Sequence, residues 1–343
     1  MSEIPTAPIA PLWRRVAAFL MDAVLLALTG FLIGALFYDA LAQMGFRARL
    51  VGVGVSLLYF GLLDSRIGGG RTLGKRLFGL RVVGRDGETV GVPRAALRYG
   101  VLAIAWFLNG APVDSDAFAG ESPGQFAIAV LGAVAVFGLA LSLLYLLLFN
   151  HRTRQSLHDL VSGCYVVYDG GGVPAATGLW RGHVVVVVLL LLASMAIPLG
   201  MKQMSRTPAF VAMMQVQRAV AQEPGVSEVS IQIGTAARTA PDTKTEPQHS
   251  LSILARSVIH DEPQQLAQRL ANRALDALPE VATLDLIGVH TYYGYDIGIA
   301  RKITAYSLMQ TPLQWRQRID TDTPEPDTDV EVSAPPTEPA KAP

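Results

Sequence analysis

Cysteine is nearly absent: Cys164 is the only one in 343 residues. One thiol makes no intrachain disulfide and no cysteine-based zinc site, so neither can hold this fold. Charge is scarce as well, at 16% of residues, against about 25% in soluble domains. The charges cancel, 28 basic against 28 acidic, which argues against a nucleic-acid binder driven by phosphate neutralisation. Also missing are H-E-x-x-H, G-x-S-x-G, a metal-spaced Cys/His cluster and paired carboxylates at catalytic spacing. Each of those patterns places a ligand or nucleophile where its chemistry needs it, so no enzyme activity, metal or cofactor is expected. What fills the chain instead is apolar, 51% of it, the balance of an integral membrane protein.

The apolar residues come in five runs. Val16–Tyr38 holds one charge, Asp22, and follows Arg14 and Arg15. About 20 apolar residues span a bilayer as a helix. The run is too long for a signal peptide and lacks an A-x-A-like cleavage site. A first membrane helix with a cytoplasmic N-terminal tail, residues 1–12, is therefore expected. Leu50–Leu63 is short, so Arg47 and Arg49 would have to snorkel. Tyr99–Val113 is short too and contains Asn109, Gly110 and Pro112, as a thin span, a broken helix or an interfacial helix would. Phe126–Phe149 and Gly182–Met201 are long enough to cross. Between residues 66 and 98 lie Arg66, Arg71, Lys75, Arg76, Arg81, Arg85, Arg94 and Arg98, a cytoplasmic signature. Asp114, Asp116 and Glu121 suit an outer loop, and Arg152, Arg154 and Arg181 an inner one. Five crossings put everything after Met201 outside an inner membrane; four would put it inside. Arg47 and Arg49 are the charges that fit five crossings worst.

From about Ser205 the composition is that of a soluble domain, spanning 205–312. A helix is expected over Pro208–Gln222, with strands at Val229–Ile233 and Leu251–Ile259 flanking a polar loop, Gly234–His249. Asp261 suits an N-cap, followed by Leu266, Leu270 and Leu278 at helical spacing. Leu284–Thr291 and Ile297–Ser307 read as strands around a turn at Tyr293–Asp296. Helix, strand, strand, twice over, predicts an α+β domain with helices on one face of an antiparallel sheet. Residues 320–343, rich in Pro, Thr, Asp and Glu, are expected to be disordered.

The candidate functional residues are mostly acids at the membrane. Asp22 lies seven residues after Arg15, on the same helix face and roughly 10 Å along it. A central Asp costs roughly 2.5–3.5 kcal/mol on insertion scales, so it either staples the bundle by pairing with an arginine of another helix or handles ions and protons. Asp64 closes the second run as a third acid or an interfacial anchor. His158-Asp159 reads as a proton relay, or more simply as a helix cap or a partner for Arg154. Gly69–Lys75 fits the start of a phosphate loop, but Arg76 stands where Ser or Thr must hold magnesium and no buried strand precedes it. The better reading of Gly70–Val83 is a basic amphipathic segment at anionic headgroups, ending in a short strand at Leu80–Val83. His290–Tyr295 is an aromatic stretch that suits either ligand contact or hairpin packing.

Together these stretches resemble the RDD family of bacterial membrane proteins. That family is named for an arginine at the start of the first helix, an aspartate inside it and a later aspartate. Arg15, Asp22 and Asp159 fit those positions. Gly70, Thr72, Gly74 and Lys75 look like the family's G-x-T-x-G-K stretch, and Arg98 like the arginine that follows it. Leu73 stands where the family usually has Pro, and Cys164 where it often has Thr. The resemblance covers about residues 10–170 and implies a polytopic α-helical membrane domain. It also implies transport, with cation/proton exchange attributed to some members. Asp22 would then titrate, with Arg15, Asp64 and Asp159 along the path, and Na⁺, K⁺ or Li⁺ exchanging for protons. The alternative is a scaffold or sensor whose outer domain binds an envelope partner. A homodimer is compatible with either reading.

Overall fold

The computed structural model describes residues 6–112, 116–119, 122–170, 173–174, 178–237, 247–258 and 262–317. The expectations for Asp114, Glu121, Ile259, Asp261, the centre of the Gly234–His249 loop and the 320–343 tail lie outside the described residues. In chain order, β1 (Thr6–Ala7) leads to α1 (Leu12–Leu36), α2 (Tyr38–Gln43), a 3-10 turn at Gly45–Ala48 and α3 (Arg49–Leu63). Next come α4 (Leu73–Leu77), β2 (Leu80–Val83), α5 (Val92–Leu108) and α6 (Asp116–Ala119). Then α7 (Pro123–Ala133) runs through a π-helical turn at Val134–Gly138 into α8 (Leu139–Phe149), before α9 (Leu157–Ser162), β3 (Tyr165–Tyr168) and β4 (Val173–Pro174). The last membrane helix is α10 (Arg181–Ser194) continued by α11 (Ala196–Met204). The C-terminal α+β domain is α12 (Pro208–Ala221), β5 (Val226–Ala237), β6 (Pro247–Ser257), α13 (Pro263–Ala277), β7 (Leu286–Asp296), β8 (Arg301–Gln310) and α14 (Pro312–Gln317).

Four helical segments among the described residues are long and apolar enough to cross a bilayer: Leu12–Leu36, Gly45–Leu63, Pro123–Phe149 and Arg181–Met204. The fourth contains five consecutive valines, Val184–Val188. β-branched residues favour strands in water, but in hydrocarbon only a helix satisfies every backbone group within its own segment. α5 has 17 residues, about 25 Å of helix, and lies antiparallel to α3 along its length. Near the start of α5, Arg98 reaches Asp64 just past the end of α3, at 2.9 Å. At the other end, Arg49 at the start of α3 donates to the Phe107 carbonyl, at 3.2 Å. The stretch expected at Tyr99–Val113 thus begins earlier, where Pro93 fits the first turn.

The two ends of the bundle differ. The N-terminal segment and the antiparallel β2–β3 pair, joined by Ile9 bridging Val167, lie at the start of α1. Leu80, Val82, Cys164 and Val166 bury there against Ala10 and Ala18. The C-terminal domain sits at the other end. Its sheet has the order β5-β6-β7-β8. β6 and β7 pair in parallel, which corrects the expected all-antiparallel sheet. The physical reason is α13, a crossover helix that returns the chain to the same end of the sheet before β7 begins. Val216, Val220, Leu270, Ile253 and Val289 build the core between helices and sheet. Trp315, fully buried, donates its indole hydrogen to the Ile287 carbonyl at 2.9 Å.

The domain is docked on the bundle. β7 runs straight through Tyr293–Asp296, where a turn was expected, and the turn falls instead at Ile297–Ala300. The reason is packing: both tyrosines lie against Tyr38 of α2, with ring centroids 5.8 Å away, and Tyr293 donates to Asp39 at 2.8 Å. Ile297 is fully buried with Leu41, Ala48 and Ala300. Trp106 of α5 donates to the Gly298 carbonyl at 2.9 Å. Arg49 pairs with Asp296 at 2.8 Å, so an arginine that fitted five crossings poorly has its counter-charge in the domain. The Tyr295 hydroxyl lies directly over Gly34, where any Cβ would collide with it.

Two outcomes follow from this arrangement. Cys164 is fully buried, leaving a silent background for single-cysteine labelling. Gln222→Cys in the domain and Arg85→Cys in the β2 loop, both exposed positions, are expected to react with an impermeant maleimide from opposite faces of sealed vesicles. Reaction of both from one face would refute the placement. Gly34→Val overpacks the hairpin seat and is expected to cost about 1–3 kcal/mol, read as a lower melting temperature in detergent; an unchanged melt would mean that Tyr295 does not rest on α1.

Candidate functional site

The site is built where the chain turns back after α3. Gly70 has φ +72°, a left-handed conformation that costs glycine nothing. It donates to the Ser65 carbonyl and accepts from Val82, both at 2.8 Å. This fold-back directs Thr72 and α4 inward against α1. Thr72 is the N-cap of α4, accepting from the Lys75 amide at 3.2 Å. Gly74 packs so closely on α1 that a Cβ would strike the Ala18 carbonyl.

Asp22 meets this segment head-on. One carboxylate oxygen accepts from the Tyr59 hydroxyl and from the Gly74 amide, each at 2.7 Å, and the other accepts from the Thr72 hydroxyl at 2.6 Å. Both hydroxyls are themselves aligned by amides of α4, since Leu73 donates to Tyr59 at 3.3 Å and Lys75 to Thr72. The first three amides of α4, which have no partner inside the helix, thus end at Asp22 directly or through one hydroxyl. Asp22 is fully buried. It lies about 15 Å from the start of α1, and non-helical backbone at such depth is tolerated only where protein encloses it. Ile67, Leu73 and Leu77 expose their side chains around α4, as residues turned toward acyl chains do.

The other charges continue from there. Lys75 binds both oxygens of Asp64, at 2.7 and 2.9 Å. Arg98 bridges Asp64 at 2.9 Å and Asp159 at 2.8 Å. Arg15 donates to the second oxygen of Asp159 and to the Arg154 carbonyl. Asp159 also closes the capping box of α9, accepting from the Ser156 amide at 3.2 Å. Three cations therefore alternate with two carboxylates, in the order Arg15, Asp159, Arg98, Asp64, Lys75, while Asp22 beside them is held by two hydroxyls and an amide. Burial raises the Asp159 carboxyl, but Arg15, His158 and Arg98 outweigh it and hold the group well below the usual carboxylate range. Burial pushes His158 down to about 3 against the pull of Asp159, so it stays neutral at physiological pH and is no near-neutral proton relay. Its Nε2 lies 3.2 Å from Arg98 and 3.3 Å from Asp159.

Every sequence-selected residue, Arg15, Asp22, Asp64, Gly70, Thr72, Gly74, Lys75, Arg98 and Asp159, lies in this one region. Their pairing differs from expectation. Asp22, expected to pair with an arginine of another helix, takes two hydroxyls and an amide among the described residues, and Arg15 serves Asp159. Asp159 takes Arg15 and Arg98 in place of Arg154, whose own side chain donates to the Ile9 carbonyl. Lys75 and Arg98 turn inward rather than to headgroups, whereas Arg66, Arg76 and Arg85 remain exposed. Tyr59 was not anticipated; its one signal is a phenol inside an apolar run. In the C-terminal domain, His290 contacts Ser307 at 2.9 Å and the neighbouring tyrosines serve docking. Among the described residues no group of three or more His, Cys, Asp or Glu side chains could hold a metal ion.

Arg98→Gln leaves two buried carboxylates short of a cation and is expected to cost about 3–5 kcal/mol, measured by unfolding in mixed micelles. Adding Asp64→Asn should return part of that loss, because coupled residues are not additive. A loss within error of zero for the single variant would remove the network from the account of stability.

Compared with known proteins, the chain matches the RDD family model over residues 9–163, a little under half its length. None of the curated proteins matches it.

Proposed function

We propose, with residues 9–163 matching the RDD family, that this protein is a membrane scaffold or sensor. Its ion-pair-locked bundle holds an extracytoplasmic domain for an envelope partner. The observation that carries this reading is the donor set of Asp22. Three short hydrogen bonds, no exposure and a packed glycine leave no coordination position for a cation. Above it, Leu26, Phe60, Tyr99, Ala103 and Phe107 fill the space between α1, α3 and α5. At the far end the Ile297–Ala300 hairpin covers the bundle. The arginine-rich 66–98 segment lies at the N-terminal end, and by the positive-inside rule that end is cytoplasmic. Five crossings, with α5 as the third, then carry the domain to the outer face of an inner membrane.

A second reading, exchange of Na⁺, K⁺ or Li⁺ for protons, is favoured by two buried acids linked to three cations, with a third buried acid, Asp22, beside them. Proteoliposomes with a trapped pH dye separate the two. The scaffold reading expects no cation-dependent proton movement from folded wild type, and the same from Asp22→Asn. A signal present in wild type and lost in a folded Asp22→Asn variant would overturn it and make Asp22 a transport residue.

A further inference from the structure

Beside the ion-pair network, α1, α5 and α8 leave a cleft of about 190 Å³. Its walls are largely apolar, including Phe19, Leu102 and Leu147, and its charged members are Arg15, Lys75 and Arg98. The two carboxylates that pair with these cations, Asp64 and Asp159, do not line it. They are at most 1% exposed and lie behind the cations, so the charge presented to the cleft is of one sign. Phe19 is 44% exposed on the outside of α1, which opens the cleft toward the bilayer.

The order of residues along the two helices gives the cleft a direction. α1 and α5 both start at the network end, and on each a cation precedes an apolar wall residue by four positions: Arg15 before Phe19, and Arg98 before Leu102. Four residues are one turn, about 6 Å, on the same face. Trp13, exposed at the start of α1, marks the interfacial level where aromatic rings collect. Positive charge at the boundary with apolar wall one turn deeper matches a molecule carrying an anionic head and a hydrocarbon tail, standing parallel to the helices.

We propose that this cleft seats one anionic phospholipid from the leaflet at the Arg15 end. Its phosphate faces Arg15 and Arg98, and one acyl chain lies against Phe19, Leu102 and Leu147. The volume is below the 300–1,000 Å³ of drug-sized pockets and suits a length of one chain rather than a whole lipid. The lipid joins α1, α5 and α8 on the side where no third carboxylate closes the network.

Native mass spectrometry of the full chain in neutral detergent tests this, with phosphatidylglycerol, phosphatidylcholine and glycerol phosphate as probes. Phosphatidylglycerol is expected to be retained over phosphatidylcholine by about fivefold for each cation in contact. Leu147→Trp, which fills the cleft without touching an ion pair, should abolish that preference. Glycerol phosphate, a head without a tail, should not displace the lipid from wild type, a readout that needs no variant. Equal retention of the two lipids, an undiminished preference in folded Leu147→Trp, or displacement by glycerol phosphate would each overturn the proposal.

Discussion

The membrane domain depends on one carboxylate meeting the end of one short helix. α4 has five residues, too few to stand alone in any solvent, and its unpaired amides are intolerable in hydrocarbon. Asp22 has the converse problem, a desolvated acid inside a transmembrane helix. Each removes the other's cost. Once Gly74 is seated on α1, Lys75 faces Asp64, and the rest of the charges have their places. Thr72 and Tyr59 complete the fit because an amide behind each hydroxyl turns its proton toward Asp22.

The two ends of the bundle are closed by different physics. At the network end, closure is electrostatic and long-range in sequence: Arg15 to Asp159, and Arg98 to both Asp64 and Asp159. At the domain end it is mostly steric, with tyrosines and a hairpin laid over small residues of α1 and α3. One ion pair, Arg49 with Asp296, crosses between bundle and domain there. The domain is therefore joined to α1 and α3 by packed side chains as well as by the chain itself.

Much of this was legible in the sequence, for identifiable reasons. A lone Asp in an apolar run has to be compensated, so Asp22 announced itself. The glycine and lysine pattern of 70–75 marked a loop with a specific backbone path. What stayed hidden were the partners. Backbone amides carry no letter, so the capping role of Asp22 could not be read. The seven-residue spacing put Arg15 and Asp22 on one helix face but named a partner for neither, and the Arg15 side chain turns to α9. In the C-terminal domain, alternation located the strands but not their relative direction, because parallel pairing is decided by where α13 sends the chain. Tyr293–Asp296 resembled a turn because its tyrosines are buried by another part of the chain, which local composition does not reveal.

The Arg49–Asp296 pair also has a temporal side. During synthesis α1 and α3 emerge long before residue 296, so Arg49 at first has only the carbonyls at the end of α5 to accept from it. Its carboxylate partner arrives only with β7. The membrane part is therefore completed by the last domain of the chain. A chain stalled before that point has Arg49 without its counter-charge and Gly34 without Tyr295 above it.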